Sequence, residues 1–292
     1  MDARDGAMVL LIDYSSLLYR AFHSLPDTIP MRGVYGFLNM LARLLGDHHP
    51  TELGIAVDDD WRPAFRVEAL PSYKHHRVAA EGEEDPIAPQ EAVGREVLTA
   101  LGFSVVGAAG FEAEDVIATL TARARKPVAI VSGDRDLFAL VRDPDVRVLY
   151  PQTGVSKLTI VDEAEITRRY CIPGRAYGGF ALLRGDPSDG LPGVPGIGEK
   201  TAAKLIAEYG SVDAILSAPS LPPSVARRLD AARDYLAAAM RVVLPVIDVP
   251  LPPISLALPR SPADPAALDA LAETYELAGP LRRVAQTLAS LP

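Results

Sequence analysis

Nine carboxylates in this chain stand where a fold can gather them around cations. Three of them, Asp13, Asp58 and Asp134, follow short apolar runs: MVLLI at 8–12, LGIAV at 53–57 and VAIV at 128–131. Such runs read as strands buried on both faces of a parallel sheet. In open parallel sheets ligands sit beyond the carboxyl ends of the strands, so these acids converge on one rim. Glu112, Glu114 and Asp115 open a helical pattern after Phe111, Asp136 follows Asp134 by two, and Asp186 and Asp189 lie in GDPSDG. Taken singly, Asp115 or Asp136 reads first as a helix cap, because a carboxylate there accepts N–H bonds and suits the helix dipole. Taken together, nine acids in a poorly solvated place repel one another strongly, and bound cations relieve that. No cysteine cluster or metal-spaced histidine pair accompanies them, and His75 and His76 read as solvent-facing. An all-oxygen set suits Mg²⁺ or Mn²⁺. Two such ions about 4 Å apart can activate a water and stabilise the leaving oxygen of a phosphodiester.

A second chemical signal is the string LPGVPGIGEKTAAKL at 191–205. Gly193, Gly196 and Gly198 permit a tight turn with close backbone approach. A helix starting near Glu199 exposes free N–H groups that bind phosphate without reading bases. Lys200 and Lys204, four apart, add positive charge to one helix face, with Thr201 between them. An ordinary Gly/Pro loop between helices would explain a bare G-x-G, but the full string resembles a helix-hairpin-helix signature, which implies sequence-independent DNA binding.

Alternating strands and helices must position these residues. Helical patterns cover 34–45, 92–101 and 112–124, and FSVV at 103–106 offers a further strand, so residues 8–160 read as an α/β unit. Residues 71–89 are polar and proline-bounded and read as a mobile or partly helical insertion over one end of the sheet. From 161 to 245 helices dominate, at 162–170, 175–183, 199–209, 212–216 and 225–242. A proline-rich link at 245–265 leads to helices at 266–275 and 280–288, a 246–292 segment expected to pack back on the core. With 292 residues, 49% hydrophobic and 23% charged, the chain has the profile of a globular protein with a sizeable core. Its net charge of −9 equals the nine carboxylates, so the remainder is balanced and charge alone does not exclude nucleic acid. The single cysteine, Cys171, allows no intrachain disulfide. The acidic start MDARDGAM lacks a signal peptide's basic region, Met8 offers an alternative start, and no run reaches a membrane span's ~20 apolar residues. A cytoplasmic, nucleoid-associated placement is expected.

Together LLIDYSSLLYRAFHS, AVDDDWRPAFR, SYKHHR, GFEAEDVIATL, IVSGDRDLFALV and GDPSDGLPGVPGIGEKTAAKL resemble the flap endonuclease and DNA polymerase I 5′-nuclease family. The resemblance runs from about Met8 to the end of the chain. It implies a PIN-like mixed, mainly parallel sheet with flanking helices, a helical arch and a helix-hairpin-helix lobe. It implies a first metal position at Asp13, Asp58, Glu112 and Glu114, and a second at Asp134, Asp136 and Asp189, with Asp115 and Asp186 nearby. A Lys and Arg three apart in the arch match Lys74 and Arg77. On a helix these would share a face and stabilise charge on the scissile phosphate, although sequence alone reads them as surface charge. Arg20 matches a YRAF element that contacts the backbone phosphate, and the hairpin carbonyls around 194–198 are implied to hold K⁺. There are departures: Tyr14 stands where many bacterial relatives have Gly, Glu114 where many have Asp, and Gly190 where Asn is common. They put rate and substrate preference in question rather than activity.

The expected function is hydrolysis of phosphodiesters in DNA bearing 5′ flaps, nicks or ends, RNA primers included, by a monomer. No polymerase or proofreading segment is expected after the nuclease unit; the finish near 291–292 does not separate a stand-alone enzyme from an excised fragment. Two other readings stay open: a non-catalytic binder of branched DNA with the same fold, and an RNA-directed nuclease of the acidic α/β type.

Overall fold

The computed structural model describes residues 7–78 and 85–291. The chain runs β1 (Val9–Asp13), α1 (Tyr14–Ser24), α2 (Arg32–His48), β2 (Glu52–Ala56), α3 (Ala64–Ala69), a 3₁₀ turn (His75–Arg77), α4 (Ala88–Leu101), β3 (Ser104–Val106), α5 (Ala113–Arg123) and β4 (Val128–Val131). After a further 3₁₀ turn (Asp136–Leu140) come β5 (Val146–Pro151), β6 (Leu158–Val161), α6 (Glu163–Tyr170) and α7 (Tyr177–Arg184). Then follow α8 (Glu199–Tyr209), α9 (Val212–Leu216), α10 (Pro223–Ala231), α11 (Arg233–Ala239), α12 (Pro265–Thr274) and α13 (Ala278–Ser290).

Among the described residues the six strands form one sheet in the order β3-β2-β1-β4-β5-β6. All neighbours are parallel except β5 and β6. The expected mixed, mainly parallel sheet is what the chain forms. Its central strands are apolar throughout because both faces are covered. Leu10, Ile12, Leu53, Ile55, Ala129 and Val131 point into a core closed by α1, α2, α4 and α13. Val9, Leu11, Ala56, Val128, Ile130 and Val148 alternate with them into a second core, shared with α5, α7 and the helices that follow. Trimming a fully buried leucine such as Leu10 or Leu11 to alanine would cost ~2–5 kcal/mol. The sheet is therefore a rigid platform for whatever its carboxyl ends carry.

Two expectations need correction. The pattern over 225–242 is not one helix: α10 ends and α11 begins at Ala232, whose backbone (φ −105°, ψ 10°) leaves the helical region. Where the sequence suggested that Lys74 and Arg77 share a helix face, Lys74 sits in a left-handed conformation (φ +47°) ahead of the single 3₁₀ turn. A residue in that conformation cannot continue an α-helix. The described part of the 71–89 insertion is thus turns and the start of α4, and its middle, residues 79–84, lies outside the described residues.

Tyr14, one of the departures, has a structural partner. Its ring is buried edge-on against Phe37, with centroids 4.8 Å apart. It fits because Gly94 faces it, where a Cβ would come within 1.8 Å of the hydroxyl oxygen. Gly94→Ala is expected to destabilise the protein by at least ~1–3 kcal/mol through overpacking, read as a drop in thermal midpoint. In a Tyr14→Phe background, where the oxygen is gone, the drop should shrink. Equal drops in both backgrounds would rule this contact out.

Candidate active site

The carboxyl ends of β1, β2 and β4 carry the first acids to one place. Asp13 ends β1 and caps α1, accepting the Ser16 N–H at 3.1 Å. Its other oxygen accepts the Ser132 hydroxyl at 2.5 Å. Asp58, two residues beyond β2, accepts the Ala113 N–H at 2.7 Å, which ties it to the first turn of α5. Asp134 follows β4. Its N–H donates to Ser132 Oγ at 2.9 Å and its carboxylate accepts the Asp136 N–H at 2.9 Å. Ser132 therefore couples two acids from different strands, a link that residue type alone did not flag.

α5 presents the second group. Carboxylate oxygens of Glu112, Glu114 and Asp115 lie within 4.8 Å of one another, as do those of Glu114, Asp134 and Asp136. Glu114 belongs to both sets. The turn Pro187–Asp189 brings in the last pair, Asp186 and Asp189.

A cleft of about 1230 Å³ collects most of these residues. Asp13, Asp58, Glu112, Glu114, Asp134, Asp186 and Asp189 line it, together with Arg20, Lys74 and Arg77. Asp115 and Asp136 do not line it. Asp115 lies behind the wall, where its oxygens accept the Val246 N–H at 2.7 Å, the Glu112 N–H at 3.1 Å and two guanidinium nitrogens of Arg66. These contacts make it part of the capping box of α5 and an anchor for Arg66. Asp186 is similarly engaged, accepting from Ser188 N–H at 3.0 Å and Arg184 at 3.2 Å, with Arg135 at 3.6 Å.

The cations are placed as specifically as the acids. Lys74 is buried, its ammonium bonded to Glu112 and its N–H donating to the Asp189 carbonyl at 3.0 Å. This is no solvated surface lysine. Arg77 is more exposed and donates to Asp189 Oδ1 at 3.0 Å. Gly190, another departure, is what lets this strand of chain dock: with φ +72°, a Cβ there would meet the Ser72 carbonyl oxygen at 2.1 Å. Arg20 reaches across the cleft mouth to the Gln152 carbonyl at 3.4 Å, over Gly133. His75 and His76 are exposed.

Sequence reasoning also passed over Arg66 and Tyr73. Arg66 is completely buried and contacts Glu112, Glu114 and Asp115, while the Tyr73 hydroxyl donates to Glu112 at 2.7 Å. No spacing rule links residue 66 to residues 112–115; only the string AVDDDWRPAFR contained it.

The hairpin glycines lie outside the cleft. Gly193 (φ +72°) packs against the Arg184 carbonyl, where a Cβ would be 2.6 Å from its oxygen. Gly196 (φ +79°) lies under Arg228, which donates to its carbonyl at 2.7 Å. Gly198 caps α8 and its Cβ direction is open space. Lys200 and Lys204 are exposed beyond it, with Thr201 partly buried between them.

Burial and mutual repulsion mark the acids as a charged group held out of water. Burial, with Asp58 opposite, pushes Asp13 up to about 7. Glu114 and Asp136 are pushed well above the usual carboxylate range, first by burial and then, for Asp136, by Asp134 and Asp189. Burial raises Asp134 and Glu112 as well, opposed at Glu112 by Lys74 and Arg66. Burial alone would lower the Lys74 ammonium, but Glu112 and Glu114 outweigh it and its pKa rises. A carboxyl raised in the folded state holds its proton where the unfolded chain has lost it. Its contribution to stability therefore falls as pH rises from about 4 to about 7. The metal-free protein is expected to melt several degrees lower at pH 8 than at pH 5, and millimolar Mg²⁺ should raise the pH 8 midpoint most. A midpoint that climbs steadily with pH without metal would contradict this.

The donor set fits divalent cations. It is all oxygen, crowded within 4.8 Å around Glu114, and held ionised only against burial and repulsion. Among the described residues no helix is long and apolar enough to cross a membrane.

Two family models together match residues 8–265. Residues 8–171 match the 5′-3′ exonuclease N-terminal resolvase-like domain and residues 172–265 the 5′-3′ exonuclease C-terminal SAM fold. The chain belongs to the 5′-3′ exonuclease family. A 5′-3′ exonuclease of Streptomyces coelicolor is 50% identical, over 96% of this chain and 99% of its own. One of Mycobacterium tuberculosis is 41% identical, over 97% and 98%. DNA polymerase I of Mycobacterium bovis is 44% identical over 81% of this chain, which spans 26% of that longer protein. Among solved structures, T5 5′-exonuclease with bound divalent metal ions (zinc) superposes with a TM-score of 0.66 at 19% identity, covering 97% of this chain and 99% of that one. The catalytic core of Rad2 in complex with DNA substrate gives 0.60 at 17%, covering 98% and 93%. At those identities the likeness concerns the fold, and it is the PIN-like fold expected.

Proposed function

We propose that this 5′-3′ exonuclease is structure-specific. It would cut DNA at 5′ flaps, nicks and ends, RNA primers included, and leave a 5′-phosphate and a 3′-hydroxyl. One observation carries the reading: the cleft that gathers the acids also admits Lys74, Arg77 and Arg20, so anionic metal ligands and phosphate-binding cations face a common space. Asp13, Asp58, Glu112 and Glu114 would hold one divalent ion, and Asp134, Asp136 and Asp189 a second, Mg²⁺ or Mn²⁺ by the chemistry of the donors. When bound, such ions activate a water and neutralise the phosphodiester. Lys74 and Arg77 would bind the scissile phosphate, and Arg20 a neighbouring one. Asp115 supports the ligands from behind, and Asp186 fixes the turn that carries Asp189.

The domain division follows this use. Residues 8–160 would carry chemistry, with the 71–89 insertion guiding the single strand, and 161–245 would hold duplex through Gly193, Gly196, Gly198, Lys200, Thr201 and Lys204. Residues 246–292 would brace the core. K⁺ on hairpin carbonyls between 194 and 198 supports phosphate contact there, with the Gly196 carbonyl already taken by Arg228. We place the protein at the nucleoid as a monomer. Binding would weaken steeply with salt, because phosphate contacts release counterions.

The deciding experiment is cleavage of a 5′-labelled DNA flap with Mg²⁺, with Mn²⁺ and with chelator. Metal-dependent release near the junction is expected. Tight binding without a cut in either metal would favour a non-catalytic binder, and faster cutting of an RNA flap than of DNA would favour the RNA-directed alternative.

A further inference from the structure

The Arg66 guanidinium is a fully enclosed charge. Its side chain is 0% exposed. Nη1 meets Glu112, and Nη2 meets Glu114 at 2.8 Å and Asp115 at 2.7 Å. Nη1 also donates to the second Asp115 oxygen at 3.1 Å, so the Asp115 pair is a fork. The rings of Phe65 and Tyr73 flank the guanidinium at 5.2 and 5.8 Å. Asp115 is itself fixed by the Val246 and Glu112 N–H groups. The planar fork thus stands on a rigid base and grips two cleft-lining glutamates from the side away from the cleft. Removing a charge from water is costly unless its partners satisfy it; here three carboxylates meet the two terminal nitrogens, while the buried Nε has no hydrogen-bond partner. A lysine ammonium, a point charge on a flexible stem, lacks this geometry.

We propose that Arg66 is a positioning residue that preassembles the first metal position, orienting Glu112 and Glu114 toward the cleft before any divalent ion arrives. The proposal rests on reading those glutamates as ligands. Arg66 engages Glu112 Oε2 and Glu114 Oε1, while the cleft-lining Lys74 holds Glu112 Oε1 from the other side. Groups that orient ligands in this way typically govern metal affinity by about 10–100-fold.

The test is Mn²⁺ binding to the full chain by calorimetry, without DNA, for the wild type and Arg66→Lys, with thermal melting in chelator alongside. Arg66→Lys keeps the charge, so the chelator midpoint should fall by only a few degrees. Its affinity at the tighter Mn²⁺ site should drop about tenfold, because one ammonium cannot hold three carboxylates. A folded Arg66→Lys protein with wild-type affinities would overturn the proposal and leave Arg66 a charge-balancing core residue. If Arg66→Lys does not fold, Tyr73→Phe decides. It removes the neutral donor to the same Glu112 oxygen while the guanidinium stays, so affinity should remain within threefold; a tenfold loss would assign the orienting role to Tyr73. A wild type that binds no Mn²⁺ at millimolar concentration would strike the ligand reading itself, an outcome distinct from the other two.

Discussion

Asp134→Ala is expected to lower single-turnover cleavage of a 5′-flap duplex by at least about a thousandfold, roughly 4 kcal/mol of barrier. Asp134 belongs to the Glu114–Asp134–Asp136 group, and its carboxylate also fixes Asp136 through the N–H at 2.9 Å. Removing it would take away one proposed ligand and loosen another. Flap affinity in chelator should hold or tighten, since a negative charge leaves a cleft that must admit phosphates. Stability should change in the direction opposite to that of an ordinary core truncation. Burial and Asp189 push the Asp134 pKa up, so the native carboxylate costs stability near neutral pH. The metal-free variant should therefore melt no lower than wild type at pH 8, and its gain on adding Mg²⁺ should shrink. Cleavage within tenfold of wild type would remove Asp134 from the metal centre.

How much of this was legible before the structure depends on distance along the chain. Asp13, Asp58 and Asp134 were readable because each ends an apolar run whose two faces are both buried, and a parallel sheet sends such ends to one rim. α8 and α9 run over the residues their periodicity indicated. β5 is not legible in the sequence because Arg147 and Tyr150 interrupt its apolar pattern, nor is β6, an edge strand with Ile160 exposed. α1 shows no clear helical pattern in the sequence, because Ser15, Ser16 and Arg20 obscure an apolar face made by Tyr14, Leu17, Leu18 and Ala21. The site was legible in its acids and not in what holds them. Ser132, Tyr73 and Arg66 act through contacts 39 to 119 positions apart in the chain. No local spacing encodes a pairing of that kind, and a buried arginine within a six-residue helix has no periodic signature.

Lys74 shows the same limit from the other side, and it carries the second large prediction. From sequence it is a surface lysine unless the family resemblance is admitted. In the fold it is buried, left-handed at φ +47°, tied through its N–H to the Asp189 carbonyl and through its ammonium to Glu112. Glu112 keeps Arg66 and Tyr73 when Lys74 is removed, so the acid is not orphaned. Lys74→Ala should therefore lower single-turnover cleavage by about 10²–10³-fold, the magnitude of losing one charged donor at a transition state. Flap affinity should stay within about threefold, since one phosphate contact is a small part of a duplex footprint. Lys74→Arg should not restore the rate, because the enclosed pocket beside Glu112 fits an ammonium and already faces one guanidinium. Arg77→Ala should cost less, about tenfold, because its side chain is 43% exposed and its contact with Asp189 is screened by water. If the two alanine variants lose equally in affinity and not in rate, the cations anchor DNA without touching the scissile phosphate. The charge that develops during cleavage would then be met by the metal centre alone.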